Sequence, residues 1–290
     1  MGRIEEALQK LQNAGRRQGD QPNAATLPPQ LASLVPLAPD YSGKRVVFDV
    51  AALANNGLLA PGPDERRLAE QYRVIKRPLL RNGSADRDPP VPRGNLIMVA
   101  SALSGEGKTF TCLNLCLSIA RERDWEVVLV DADCSKPHLT RLFGAEQERG
   151  LIDLLRDPSL TFDSLVMPTS VPGLSLLPGG SRDEHAAELL ASKRMDDLCA
   201  SLAANTRRII LFDSSPLLLT SEAPALASRV GQVVVVVRAN DTPRQAVSAA
   251  VEKLDQHKAI FCVLNQAFGS ANSLEYGQYG GYGSYGDQGT

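Results

Sequence analysis

Residues 95–120 read NLIMVASALSGEGKTFTCLNLCLSIA. An apolar run from Asn95 to Ala100 enters a loop holding Gly105 and Gly107, and Lys108 and Thr109 then open an amphipathic helical segment. A strand that turns through glycines into a helix points successive backbone N–H groups at one spot, and the helix N-terminus adds partial positive charge there. This is an anion site. The GKT core makes the anion a nucleotide: Lys108 would reach the β- and γ-phosphates, and the Thr109 hydroxyl would ligate Mg²⁺. Ser104, Gly105, Glu106, Gly107, Lys108, Thr109 and Phe110 are therefore the nucleotide-binding candidates. Ala102 replaces the first glycine of G-x-x-x-x-G-K-[ST], but the strand-loop-helix context survives.

Working outward, β-branched runs alternate with helical stretches from Asn95 to Ala267: NLIMVA, EVVLVD, GLSLLPG, RIILFD, QVVVVVR and AIFCVLN, with one helical stretch, Ala186 to Ala204, after GLSLLPG. Continuous apolar strands separated by helices are the mark of a parallel sheet covered on both faces. The fold class expected is α/β, a doubly wound and mostly parallel sheet of the P-loop NTPase type. In VVLVDADCSKP, Asp131 and Asp133 fall at the carboxyl edge of one strand, and in IILFDSSP, Asp213 falls at that edge of another. Ligands bind at this edge in open parallel sheets. Carboxylates converging beside a phosphate loop repel one another unless a cation joins them, and Mg²⁺ bridging two phosphates supplies it. Thr109, Asp131 and Asp213 are the metal candidates, and Lys108, Asp131, Asp133 and Asp213 the catalytic ones.

The flanks differ. Residues 1–63 contain seven prolines after a short opening helix with Ile4, Ala7, Leu8 and Leu11 on one stripe, and read as a helix followed by a linker. A second helix is expected from Asp64, DERRLAEQYRVIKR, stopping at Pro78. The central domain should span 64–268. From Gly269 the chain reads GSANSLEYGQYGGYGSYGDQGT, with seven of its glycines and four of its six tyrosines, and reads as a flexible tail.

Composition narrows the classes. Of 290 residues, 43% are hydrophobic and 22% charged, and Lys+Arg 31 against Asp+Glu 33 leave a net charge of -2, which excludes a nucleic-acid coat protein and gives no expectation of nucleic acid as partner. The five scattered cysteines suggest reduced thiols and a cytoplasmic chain. No apolar run approaches the roughly 20 residues of a membrane span.

With these motifs in order, the chain resembles the bacterial tyrosine kinases, the exopolysaccharide-associated tyrosine autokinases, and most of all the single-chain type found beside exosortase-linked polysaccharide systems. SGEGKT resembles the family's Walker A, VVLVDADCSKP its A′ motif, IILFDSSP its Walker B, and the run from Tyr276 to Tyr285 its tyrosine cluster. EQYRVIKRPLL resembles the helix whose E-x-x-R-x-x-R motif forms the ring interface of octamers, carried here by Glu70, Arg73 and Lys76. Ser135 stands where the A′ motif often has Arg, and Lys76 keeps a charge while losing the bidentate fork.

The resemblance implies an ATP-dependent tyrosine autokinase that phosphorylates Tyr276, Tyr279, Tyr282 and Tyr285 on a neighbouring subunit and regulates exopolysaccharide polymerisation and export. Its cofactors would be ATP and Mg²⁺. Its partners would be further copies of itself, up to an octameric ring, and a separate inner-membrane polysaccharide chain-length regulator that activates it and holds it at the membrane. Asn265, ending AIFCVLN, sits where related ATPases read the adenine edge, and a polar strand-end cap is the other reading. The rival class is a Min/Par-like ATPase acting as a positioning or regulatory switch without tyrosine transfer. That group's signature lysine falls at Leu103.

Overall fold

The computed structural model describes residues 45–55, 57–59 and 65–267. Its frame is a seven-stranded sheet in the order β3-β4-β2-β5-β1-β6-β7. The strands are β1 (Leu96–Ser101), β2 (Glu126–Ala132), β3 (Met167–Pro168), β4 (Leu174–Leu177), β5 (Arg208–Ser214), β6 (Gln232–Arg238) and β7 (Ala259–Asn265). All pairings are parallel except β3 with β4, at one edge.

Alternation explains why the strands are apolar throughout. Leu96, Met98 and Ala100 of β1 enter one core cluster with Val233 and Val235 of β6, while Ile97 and Val99 enter the other with Val234 and Val236. Successive side chains point to opposite faces, so a sheet with a core on each side needs apolar residues at every position. One face is covered by α2 (Glu65–Gly83) and α3 (Lys108–Ile119). The other is covered by α5 (Leu151–Arg156), α7 (Ala186–Ala191), α8 (Lys193–Ala203) and α9 (Glu222–Ala227). The short α1 (Val50–Asn55), α4 (His138–Leu142), α6 (Phe162–Leu165) and α10 (Arg244–Glu252) complete the described helices. From β1 the chain crosses over β5 to reach β2, whereas β6 lies on β1's other side. The crevice at the carboxyl end of β1 is thus a topological switch point.

Three expectations need correction. The helix expected to stop at Pro78 continues to Gly83. Proline frees the carbonyl four residues earlier, here that of Val74, which is 63% exposed and can be hydrated. The turns beyond are pinned: Leu79 is fully buried, and the buried Gln232 amide donates to Leu79 O at 3.0 Å and accepts from Asn82 Nδ2 at 2.8 Å. Secondly, the domain begins before residue 64. Val46, Phe48, Leu53 and Leu58 are buried, Val46 N–H donates to Pro168 O at 2.9 Å, and Asn114 Nδ2 donates to Leu58 O at 2.9 Å. The prolines around this stretch masked its packing. Thirdly, the single helix expected over 186–204 is two, broken at Ser192, whose hydroxyl caps α8 by accepting from Met195 N–H at 3.2 Å. The opening helix and the tyrosine tail lie outside the described residues.

Gln232 also donates to Gly94 O, so one buried amide ties α2, the segment before β1 and β6 together. Gln232→Ala strands these partners and should cost about 2–3 kcal/mol. Urea unfolding checks this through a lower midpoint at unchanged slope. A loss below about 0.5 kcal/mol, the level of an ordinary surface change, would contradict the assignment.

Candidate nucleotide site

Gly105 and Gly107 adopt φ of 82° and 93°, the left-handed region that side chains disfavour. At Gly107 space is also short, since a Cβ there would collide with the Asn265 amide. Gly107 is the N-cap of α3, no side chain caps the helix, and its first turn carries no acidic residue. The helix's first N–H groups are thereby left to an incoming anion.

Lys108 is 8% exposed, and among the described residues its ammonium has no hydrogen-bond or ion-pair partner. Burial pulls its pKa down, while Asp213, Asp133 and Glu106 pull it back up. The Thr109 hydroxyl donates to Asp213 Oδ2 at 2.8 Å. Asp213 is 2% exposed, and its other oxygen, Oδ1, has no hydrogen-bond partner among the described residues. Burial first, and then the charge of Asp131, push its pKa up to about 8. An ionised carboxylate with one bare oxygen out of water is costly. A divalent cation beside Thr109 would satisfy that oxygen, so the donor set fits Mg²⁺.

Asp131 lies beside Asp213 in register on the neighbouring strand. It is fully buried, and Thr140 donates to Oδ2 twice, through N–H at 2.8 Å and through the hydroxyl at 2.7 Å. Oδ1 receives only Asp133 N–H at 3.3 Å and is the freer oxygen. Burial raises the Asp131 pKa to about 6 against these hydrogen bonds. Asp133 is half-buried, accepts from Lys136 N–H at 3.1 Å, and is also raised by burial. Among the described residues no group of three or more His, Cys, Asp or Glu side chains could hold a metal by itself. Mg²⁺ normally takes one or two carboxylates and completes its shell with phosphates and water, so this absence accords with a site finished by substrate.

The structure brings Lys108, Thr109, Asp131, Asp133 and Asp213 together, with Ser104 and Gly105 exposed on the loop and Phe110 half-buried behind it. Asn265 meets the loop as well: its Nδ2 donates to Glu106 O at 2.9 Å. Lys76 lies elsewhere. It is 5% exposed, donates to Ser118 O at 2.6 Å and pairs with Glu122 at 2.7 Å, so it fastens α2 to α3 inside the chain and is corrected as a surface interface residue. Glu70 and Arg73 are exposed and paired with each other at 2.9 Å. Sequence reasoning missed Thr140 and Thr242. Thr140 follows Asp131 by nine residues with no motif to flag it, and Thr242 is marked only by the turn residues of RANDTPR after the β6 strand.

Asp131, Asp133 and Asp213 all ionise less readily in the folded chain than in the unfolded one. Between the ordinary carboxylate pKa of about 4 and about 8, the folded state holds protons that the unfolded state has lost. Stability of the nucleotide-free chain should therefore fall as pH rises through that window. Asp213→Asn should flatten the upper part of this decline and stabilise the nucleotide-free chain at pH 8 by about 1–4 kcal/mol. Urea unfolding across pH checks it, and a variant less stable than wild type at pH 8 contradicts it.

With the geometry in hand, comparison with known proteins is informative. Residues 97–274 match the model of the CobQ/CobB/MinD/ParA nucleotide binding domain. The tyrosine-protein kinase YwqD of Bacillus subtilis is 31% identical over 211 residues, covering 72% of this chain and 85% of YwqD. The tyrosine-protein kinase Wzc of Salmonella typhi is 29% identical over 188 residues, 64% of this chain but 26% of Wzc, so the chain spans about a quarter of that relative's length. The crystal structure of the VpsO kinase domain aligns with a TM-score of 0.57 at 30% identity, over 70% of this chain and 97% of that one. By motif, fold and relatives alike, the chain belongs to the bacterial tyrosine kinases within the CobQ/CobB/MinD/ParA nucleotide-binding family.

Proposed function

We propose that this chain transfers the γ-phosphoryl group of ATP, with Mg²⁺, to tyrosines of its own tail on a neighbouring subunit, and so regulates exopolysaccharide polymerisation and export. The observation that carries this reading is the bare, buried Asp213 Oδ1 beside the Thr109 hydroxyl at the mouth of the phosphate loop. Phosphoryl transfer is governed by positioning and by charge stabilisation, and these groups supply both.

The residues divide the work. Thr109 and Asp213 would hold Mg²⁺, which neutralises charge between the β- and γ-phosphates. Lys108, with no competing partner, is available to the phosphates as charge builds on them. A tyrosine hydroxyl has an ordinary pKa of about 10 and needs help to lose its proton. Asp131, pushed up to about 6, is a base poised near neutrality, with Oδ1 as the accepting atom. Asp133, held by Lys136 N–H, orients this edge of the site.

Tyr276, Tyr279, Tyr282 and Tyr285 are the acceptors, each with a glycine on at least one side. Glycine offers little steric resistance to drawing a tyrosine into a cleft. Glu70 and Arg73 on the exposed face of α2 are the interface residues of the proposed oligomer. Among the described residues no helix is long and apolar enough to cross a membrane. A separate inner-membrane chain-length regulator is the proposed activator and the partner that would hold the chain at the membrane. The alternative of a Min/Par-like switch is disfavoured at Leu103, an apolar residue where that group places its lysine.

After incubation with Mg·ATP, mass spectrometry should find phosphotyrosine in the tail, and Lys108→Ala should lower the rate by roughly a hundredfold or more. Mixing a Lys108→Ala chain that bears the tail with an active chain lacking the residues after Gly269 should place phosphate on the inactive chain. A phosphate-free tail in that mixture, beside a phosphorylated wild type, would show transfer within one subunit. A wild type free of phosphotyrosine would overturn the kinase reading.

A further inference from the structure

One side chain of the phosphate loop is committed to bracing it. Glu106 is 2% exposed, and neutral donors hold both its carboxylate oxygens. Leu103 N–H donates to Oε2 at 2.6 Å, and the Thr242 hydroxyl donates to Oε1. Thr242 Oγ1 in turn accepts from Arg238 N–H at 3.1 Å, which fixes it at the end of β6. The main chain of Glu106 is gripped as well, by Asn265 Nδ2 at 2.9 Å. Asn265 is itself anchored, because Ala239 N–H donates to its carbonyl at 2.8 Å and it stands in register with Arg238. The ends of β6 and β7 thus hold one loop residue from two directions.

We propose that Thr242 and Asn265 are positioning residues that preform the phosphate loop through Glu106, and that Asn265 acts on phosphate affinity and not on the choice of base. A loop with two glycines in left-handed conformations loses much backbone entropy on ordering, since glycine is the freest residue when unfolded. Bracing before the ligand arrives removes that cost from binding, and preorganised sites bind more tightly for this reason. The bracing also keeps the Glu106 carboxylate satisfied by Leu103 N–H and Thr242, close to where an anion must bind. The single Asn265 Nδ2 contact with Glu106 O, together with the close approach of Gly107, accounts for an amide at this strand end without any base.

This inference rests on the nucleotide reading, and calorimetry on the full chain separates the two. Mg²⁺ with ATP, GTP or inorganic tripolyphosphate, which has no base, would be titrated into wild type, Asn265→Ala, Thr242→Val and Thr242→Ser. Losing one such bond should weaken binding by about tenfold. Asn265→Ala should weaken all three ligands by the same factor and leave the ATP-to-GTP ratio unchanged. Thr242→Val should do likewise, and Thr242→Ser, which keeps the hydroxyl, should restore wild-type affinity. If Asn265→Ala spares tripolyphosphate while ATP binding falls, Asn265 reads the base and the proposal is overturned. Thr242→Val binding as tightly as wild type overturns it too. If Thr242→Val fails to fold, Asn265→Ala and Thr242→Ser decide the matter. A wild type that binds neither ATP nor tripolyphosphate overturns the nucleotide reading and this one with it, whereas wild-type binding unaffected in the variants overturns this one alone.

Discussion

Asp131 and Asp213 stand side by side on adjacent parallel strands, both shut away from water, and among the described residues only Asp131 finds partners for both its oxygens. Thr140 takes up Asp131 through two hydrogen bonds, whereas Asp213 has the Thr109 hydroxyl on one oxygen and nothing on the other. Burial raises the proton affinity of both, and the charge of Asp131 raises that of Asp213 further. The edge of the sheet is therefore incomplete without positive charge. Lys108, whose ammonium has no hydrogen-bond or ion-pair partner among the described residues, and the uncapped N-terminus of α3 lie around the same gap. A phosphate chain carrying a divalent cation would fill that gap.

The remainder of the fold keeps that gap open and fixed. The sheet is apolar on both faces, so its strand ends are rigid and the two aspartates stay in register. Lys76 clamps α2 to α3 from inside through Ser118 and Glu122, and Gln232 fastens the far end of α2 to β6. α3, whose first turn faces the proposed phosphate site, is thus held at its far end by groups remote from that site. On the other side of the loop, Glu106 joins it to the ends of β6 and β7.

What could be read from the sequence was whatever local pattern dictates. Six apolar runs announced the sheet because a strand buried on both faces cannot alternate. SGEGKT announced the phosphate loop because only glycine adopts the turns it needs, and the aspartates showed themselves by ending apolar runs. What stayed hidden depends on tertiary partners. Pro78 reads as a helix stop, yet Val74, whose carbonyl it frees, is exposed and the next turn is anchored by Leu79 and Asn82. Lys76 reads, with Glu70 and Arg73, as an interface charge, and only the fold shows it meeting Ser118 O of α3 and Glu122 just past that helix. The segment 45–59 reads as linker because its buried residues, Val46, Phe48, Leu53 and Leu58, follow no sustained period. Thr140 and Thr242 carry no signal beyond their proximity to strand ends.

We expect Asp213 to be protonated in the free chain and to give up its proton when a metal-bound nucleotide arrives. Calorimetric titration of preformed Mg·ADP at pH 7, repeated in buffers of different ionisation enthalpy, counts that proton. With Asp213 pushed up to about 8, wild type should release about one proton per nucleotide bound, and Asp213→Asn close to none. Binding by the wild type without proton release would contradict the account.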